Sequence, residues 1–117
     1  MRSFLLLLYN TDEDFQDFSP EEMQGVIQRY KAWRDDLNAK GQLIGSDKLV
    51  DGEGRVLRRR DNKTRVLDGP FSETKEIIGG YFAVRAADYD EAVAICEECP
   101  HLEYGGMIEL REVDVDH

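Results

Sequence analysis

The segment Asp68-Gly69-Pro70-Phe71 is the first place where the sequence suggests chemistry. An aspartate in a turn usually accepts a hydrogen bond from the backbone N–H two residues on. Here that residue is Pro70, which has no N–H, and Gly69 before it can adopt conformations closed to other residues. We therefore predict a rigid corner that projects Asp68 as a candidate general base and Phe71 as a candidate ligand contact. A purely structural role for Asp68 is the alternative.

Aromatic residues supply the next candidates. Tyr30 and Trp33 lie on the apolar stripe of a predicted helix, and Tyr81 lies in a predicted strand. Core packing is one interpretation of the two helical residues, and a place at the mouth of a cleft is the other. We take Tyr30 as a candidate catalytic residue beside Asp68, and Trp33 and Tyr81 as candidate ligand contacts.

His101 lies between the predicted end of a second helix and a loop that contains Gly105 and Gly106. This position favours a solvated loop histidine. A ligand-binding or acid–base role is the alternative, because histidine changes its charge near neutral pH.

Cys96 and Cys99 have the Cys-x-x-Cys spacing of redox and zinc sites, but His101 and His117 are the only other soft ligands. The pair also falls late in a helix, where the helix dipole does not lower a thiol pKa. We interpret both cysteines as small apolar residues and predict no metal site.

The chain carries a formal charge of −10, with one basic cluster on a predicted hairpin. Such a charge disfavours binding to nucleic acid or to anionic membranes. The cluster indicates a solvated strand surface or, alternatively, a site that captures a small anion or an acidic partner. It consists of Arg55, Arg58, Arg59, Arg60, Lys63 and Arg65. The sequence has no phosphate-binding glycine loop, and we expect no cofactor.

The elements that must position these residues follow from capping signals and periodicity. Ser19-Pro20-Glu21-Glu22 predicts a helix start with a capping box, and Gly41 predicts its end. Asp88 and Glu91 predict a second helix start, and Pro100 its end. Strands are predicted at residues 3–9, 42–50, 55–60, 63–67, 77–85 and 107–113. The glycine pair within 77–85 predicts a bulge or a close backbone approach.

This order of elements predicts an α+β fold, a ferredoxin-like βαββαβ with an inserted β-hairpin and an antiparallel sheet with both helices on one face. At 117 residues the chain forms one domain, 1–117. No third helix is predicted to cover the other face of the sheet, so we expect a homodimer that packs sheet to sheet. The apolar run at residues 3–9 is too short for a signal peptide, and we expect a cytoplasmic protein.

Several linked blocks of this sequence resemble the YCII-related proteins in their DGPF branch. The blocks are Asp68 to Glu76, Gly79 to Phe82, Asp88 to Ala92, Gly105 to Val113 and Phe4 to Tyr9. The resemblance implies a dimeric α+β barrel with a cleft between the sheet and the helices.

Some relatives of this type carry a histidine and an aspartate proposed as a catalytic dyad. Asp68 matches the aspartate, whereas the place of the histidine falls at or near Tyr30. Neither histidine of this chain lies on that helix.

Two functions follow as hypotheses. The first is a small-molecule-binding or accessory regulatory dimer, since relatives of this type are often linked with alternative sigma factors. The second is an isomerase- or lyase-like enzyme with Asp68 as general base and Tyr30, or a histidine of the partner, as acid. Because the helix lacks a histidine, the sequence favours the first.

Overall fold

The structure is a computed structural model, and it describes residues 1–11, 13–69 and 76–116. Its elements are β1 (Arg2–Asn10), α1 (Pro20–Ala39), β2 (Leu43–Lys48), β3 (Arg55–Arg60), β4 (Lys63–Asp68), β5 (Ile77–Ala86), α2 (Tyr89–Glu97), α3 (Pro100–Glu103) and β6 (Met107–Glu112). Among these described elements, no helix is both long and apolar enough to cross a bilayer.

Four strands form the main sheet in the order β2-β5-β1-β6. Every neighbouring pair is antiparallel, and Leu6 at the centre of β1 lies between Phe82 of β5 and Leu110 of β6. Two βαβ units, β1-α1-β2 and β5-α2-β6, interleave to give this order. The α+β, ferredoxin-like prediction is therefore confirmed, with β3 and β4 as the inserted hairpin.

Helix α1 begins and ends where its capping residues predict. The Ser19 side chain accepts from the backbone N–H of Glu22, and the Glu22 side chain accepts from the backbone N–H of Ser19. Gly41, at φ +72°, follows the last turn in a conformation that L side chains rarely adopt. Local signals thus set both ends of this 20-residue helix.

The hydrophobic core lies between the sheet and the helices. Alternation along β1 buries Phe4, Leu6 and Leu8 on one face. On the same side, the Trp33 ring of α1 packs edge-on against Phe82, with ring centroids 4.7 Å apart. Trp33 is only 8% exposed, so its position is that of a core residue.

The segment after α2 differs from the prediction. Pro100 does not simply end a helix but begins the short helix α3, a place that suits proline because its missing N–H is not needed in a first turn. His101 lies inside α3 and is only 6% exposed. The expectation of a solvated loop histidine was therefore wrong.

The inserted hairpin forms its own two-stranded sheet. Asp61 and Asn62 form its turn with φ values of +52° and +63°, as the sequence predicts. Its described residues make no extensive contact with the main sheet. The radius of gyration, 16.2 Å, accordingly exceeds the value of about 13 Å expected for a compact chain of this length.

The face of the main sheet opposite the helices is apolar at its centre. Leu5, Leu7 and Ala83 lie there half-buried, because β1 and β5 alternate and Leu5 pairs with Ala83. One hydrogen bond borders this centre: the Tyr9 hydroxyl donates to the Glu109 carboxylate at 2.9 Å.

Candidate functional site

A cavity of about 780 Å³ lies between α1 and the main sheet. Apolar side chains form much of its wall, including Leu8 of β1, Val26 and Ile27 of α1, and Phe82 of β5. Tyr30 and His101 also line it. A mostly apolar cavity with a few convergent polar groups is typical of a site for a small molecule.

Tyr30 and His101 form a hydrogen-bonded pair in this cavity. The Tyr30 hydroxyl lies 2.8 Å from His101 Nδ1, and His101 Nε2 lies 2.7 Å from the backbone carbonyl oxygen of Tyr9. A carbonyl oxygen only accepts, so Nε2 carries a proton. In the neutral imidazole Nδ1 is then the acceptor, and the Tyr30 hydroxyl donates to it.

Two neighbouring elements hold the His101 ring in place. Helix α3 carries the residue, and the first strand of the chain provides the Tyr9 carbonyl. Gly106, just before β6, lies against the ring, since a Cβ there would stand 2.2 Å from Nε2. The backbone N–H of Gly106 also donates to the His101 carbonyl at 3.0 Å. The imidazole therefore occupies a fixed position with little room for another rotamer.

Burial keeps the Tyr30 hydroxyl in its protonated form. Loss of water contact raises the pKa of Tyr30 well above its ordinary value, and the nearby Cys99, Tyr104 and Asp14 raise it further. Tyr30 can therefore donate and accept hydrogen bonds in the cavity, but it does not act as a free phenolate near neutral pH.

Charged residues border the cavity beside this pair. Lys31 and Arg34 lie on the same helix as Tyr30, and the Arg34 guanidinium lies 3.8 Å from the carboxylate of Asp35. The carboxylate of Asp14 accepts hydrogen bonds from the backbone and the hydroxyl of Thr11. The Asp14 carboxylate thus has partners within its own loop, and Lys31 and Arg34 place positive charge at the wall of the cavity.

The bulge predicted from the glycine pair also borders the cavity. The pairing of β1 with β5 skips Gly79, since Leu8 pairs with Gly80 and Tyr9 with Ile78. A Cβ at Gly79 would stand 2.5 Å from Asn10 Oδ1. That buried oxygen has no hydrogen-bond partner among the described residues. This oxygen is a further polar atom of the site that was not identified from the sequence. The glycine pair is its one indication in the sequence, because Gly79 allows the close approach to Asn10.

The structure brings two predicted site residues together and separates the others. Tyr30 and His101 meet in the cavity, while Trp33 packs in the core. Tyr81 borders the cavity, but its hydroxyl donates to Asp47 at 2.6 Å. Phe71 lies outside the described residues.

Asp68 is the last residue of β4 and does not line the described part of the cavity. Its side chain is 96% exposed, with a carboxylate oxygen 3.8 Å from a guanidinium nitrogen of Arg55. The structure therefore shows no contact between Asp68 and Tyr30 within the described residues, and a catalytic role for Asp68 stays a prediction.

Cys96 and Cys99 are buried, free thiols. Burial raises the pKa of Cys96 to about 11 and that of Cys99 to about 12. Both thiols thus stay protonated near neutral pH and are poor nucleophiles, which agrees with their interpretation as small apolar residues.

Comparison with known proteins identifies the family. Residues 3–115 match the model of the YCII-related domain. An uncharacterized protein of Rhizobium meliloti (strain 1021) is 32% identical over 91 residues, which cover 77% of this chain and 73% of that protein. The fold, the sequence blocks and this match agree, and the chain belongs to the YCII-related family.

Proposed function

We propose that the protein is a homodimer that binds a small, partly apolar molecule in the cavity between α1 and the main sheet. The observation that carries this proposal is the part-buried Tyr30–His101 pair, which presents a polar contact inside a mostly apolar cavity of about 780 Å³. A volume of that size suits a small organic molecule. An accessory regulatory role would then operate through the bound ligand.

The opposite face of the sheet supports the homodimer. Leu5, Leu7 and Ala83 form an apolar centre, and the Tyr9–Glu109 hydrogen bond lies at its border. An apolar centre with a polar rim is the usual composition of a protein–protein interface. A two-fold related copy would bring the same patch against itself and remove both from water.

The alternative is an isomerase- or lyase-like enzyme with Asp68 as general base. Because the Asp68 side chain is exposed and outside the described part of the cavity, the geometry favours the binding proposal. An enzyme of this type would need Asp68 to approach a ligand that also contacts Tyr30.

A thermal-shift screen of small metabolites tests the binding proposal. We expect at least one compound to raise the melting temperature of the wild type and to lose most of that effect in Ile27→Trp, which fills the cavity from a half-exposed position of α1. Asp68→Asn is the matched comparison and should bind as the wild type does. A screen without any hit, or hits unaffected by Ile27→Trp, would contradict the proposal.

A further inference from the structure

We propose that Tyr30 and His101 form a proton relay, which transfers a proton between His101 Nδ1 and an acidic hydroxyl group of a ligand. This inference rests on the proposed function, because it requires a ligand in the same cavity. It adds a chemical activity to that cavity and places the activity on residues other than Asp68.

The relay follows from the two partners of the imidazole. Nε2 faces the Tyr9 carbonyl at 2.7 Å, so it carries a proton in both charge states of the ring. Only Nδ1 can gain or lose a proton, and its partner at 2.8 Å is the Tyr30 hydroxyl. A proton that reaches Nδ1 through this hydrogen bond therefore comes from the Tyr30 hydroxyl.

The transfer can be written with every proton placed. A ligand hydroxyl donates to Tyr30 Oη; the ligand O–H bond breaks and its proton moves to Oη. The proton already on Oη moves to His101 Nδ1. The products are a ligand anion, a neutral tyrosine and an imidazolium, so atoms and charge balance, and the reverse step returns the ligand proton.

Concerted transfer explains how a buried tyrosine can take part. Burial disfavours a phenolate at Tyr30, as the raised pKa of its hydroxyl indicates. In the relay Tyr30 loses one proton as it gains another, so no lasting phenolate forms. His101 Nδ1 supplies the lone pair that accepts the proton, the role that histidine has in general acid–base catalysis.

Charged residues around the pair act on both charged products of the transfer, the imidazolium and the ligand anion. Asp14 of the loop before α1 acts electrostatically on Tyr30 and favours a positive charge nearby. Lys31 and Arg34 line the cavity from α1, near Tyr30 in the chain, and favour a ligand anion there. Asp47, Asp51 and Glu53 also line the cavity; Asp47 accepts a hydrogen bond from Tyr81, and Asp51 pairs with Lys48.

These features specify the class of ligand. It has a hydroxyl group acidic enough to exchange a proton with histidine, as an enol or an electron-poor phenol does. Its body is apolar enough to contact Leu8, Ile27 and Phe82. A compound without an ionisable hydroxyl could occupy the cavity but could not use the relay.

The probe for the test is 4-nitrophenol, whose anion absorbs visible light and whose neutral form does not. At a pH where most free probe is protonated, we expect wild-type protein to generate the anion band on binding. Tyr30→Phe interrupts the path and His101→Asn removes the acceptor, so both should bind the probe without the band. His117→Gln keeps the relay and should behave as the wild type.

Nuclear magnetic resonance of the His117→Gln protein supplies a second readout that needs no change in the cavity. In ¹⁵N-histidine-labelled His117→Gln protein only the His101 imidazole gives a signal. Without probe at alkaline pH we expect the Nε2–H tautomer. With 4-nitrophenol we expect an imidazolium in the same proportion as the anion band.

The outcomes separate this inference from the proposed function. If 4-nitrophenol binds without an anion band, or if the band persists in Tyr30→Phe, the relay is excluded and ligand binding stands. If 4-nitrophenol does not bind while other compounds raise the melting temperature, the relay and its ligand class are excluded. If neither the probe nor any screened compound binds, both proposals fail.

Discussion

Gly106 lies directly against the imidazole of His101. A Cβ at Gly106 would stand 2.2 Å from Nε2 and 2.5 Å from both Cδ2 and Cε1, distances that no side chain can occupy. The absence of a side chain at Gly106 thus allows His101 to reach the Tyr9 carbonyl and Tyr30 together.

Gly106→Ala should therefore displace the His101 ring. Loss of its hydrogen bonds would leave buried polar atoms unpaired, and we expect the free energy of unfolding to fall by about 1–3 kcal/mol. Urea denaturation measures this change. Gly25→Ala is the control: it lies in α1 with nothing within 4 Å of its added Cβ, and it should stabilise by about 0.5–1 kcal/mol. Equal effects of the two changes would argue against a fixed His101.

Trp33 should contribute to stability as a core residue. It packs against Phe82 and is 8% exposed, so Trp33→Ala should lower the free energy of unfolding by about 3–5 kcal/mol. Ile27→Ala, at a helix position that is 46% exposed, should cost less than about 1 kcal/mol. Denaturation followed by circular dichroism compares the two. A loss for Trp33→Ala no larger than that for Ile27→Ala would contradict the core position.

Stability should decrease in alkaline solution. The pKa of Cys96 rises from 9.0 to about 11 on burial, and that of Cys99 to about 12. At a pH between 9.0 and these raised pKa values, the thiols of the unfolded chain have lost protons that the folded chain keeps. The free energy of unfolding therefore decreases as the pH rises. The contribution of the neutral thiols is complete below pH 9 and is lost progressively above it.

Urea midpoints measured from pH 7 to pH 11 test this direction. Cys99→Ala should reduce the alkaline slope, because it removes one of the groups with a raised pKa. A slope unchanged by this substitution would contradict the assignment to Cys99.

The apolar face of the sheet should control dimerisation. Leu7 lies half-buried at its centre, and Leu7→Arg would place a charge in the proposed interface, where burial without a partner is costly. We expect this variant to be monomeric by light scattering at concentrations where the wild type is dimeric. Val93→Arg, at an exposed position of α2, should remain dimeric. A dimer that survives Leu7→Arg would place the interface elsewhere.

Much of the fold could be predicted because its signals act over a few residues. The capping box of Ser19 and Glu22 and the positive φ of Gly41 define α1 through contacts within its own ends. Asp61 and Asn62 define the hairpin turn in the same way. The continuously apolar run at residues 3–9 predicts β1 as a strand, but it does not indicate which face is buried; the structure shows that alternate residues are buried.

The candidate site depended on contacts between distant parts of the chain. Tyr30 and His101 are 71 positions apart, and His101 and Tyr9 are 92 positions apart. The sequence alone identified Tyr30 and His101 as separate candidates, determined the order of strands and helices, and signalled the Gly79–Gly80 bulge. Only the tertiary structure decided that His101 is buried against Gly106 and paired with Tyr30, and that Asp68 lies away from them. Such contacts depend on how α1 and α3 pack on the sheet, which no local propensity specifies.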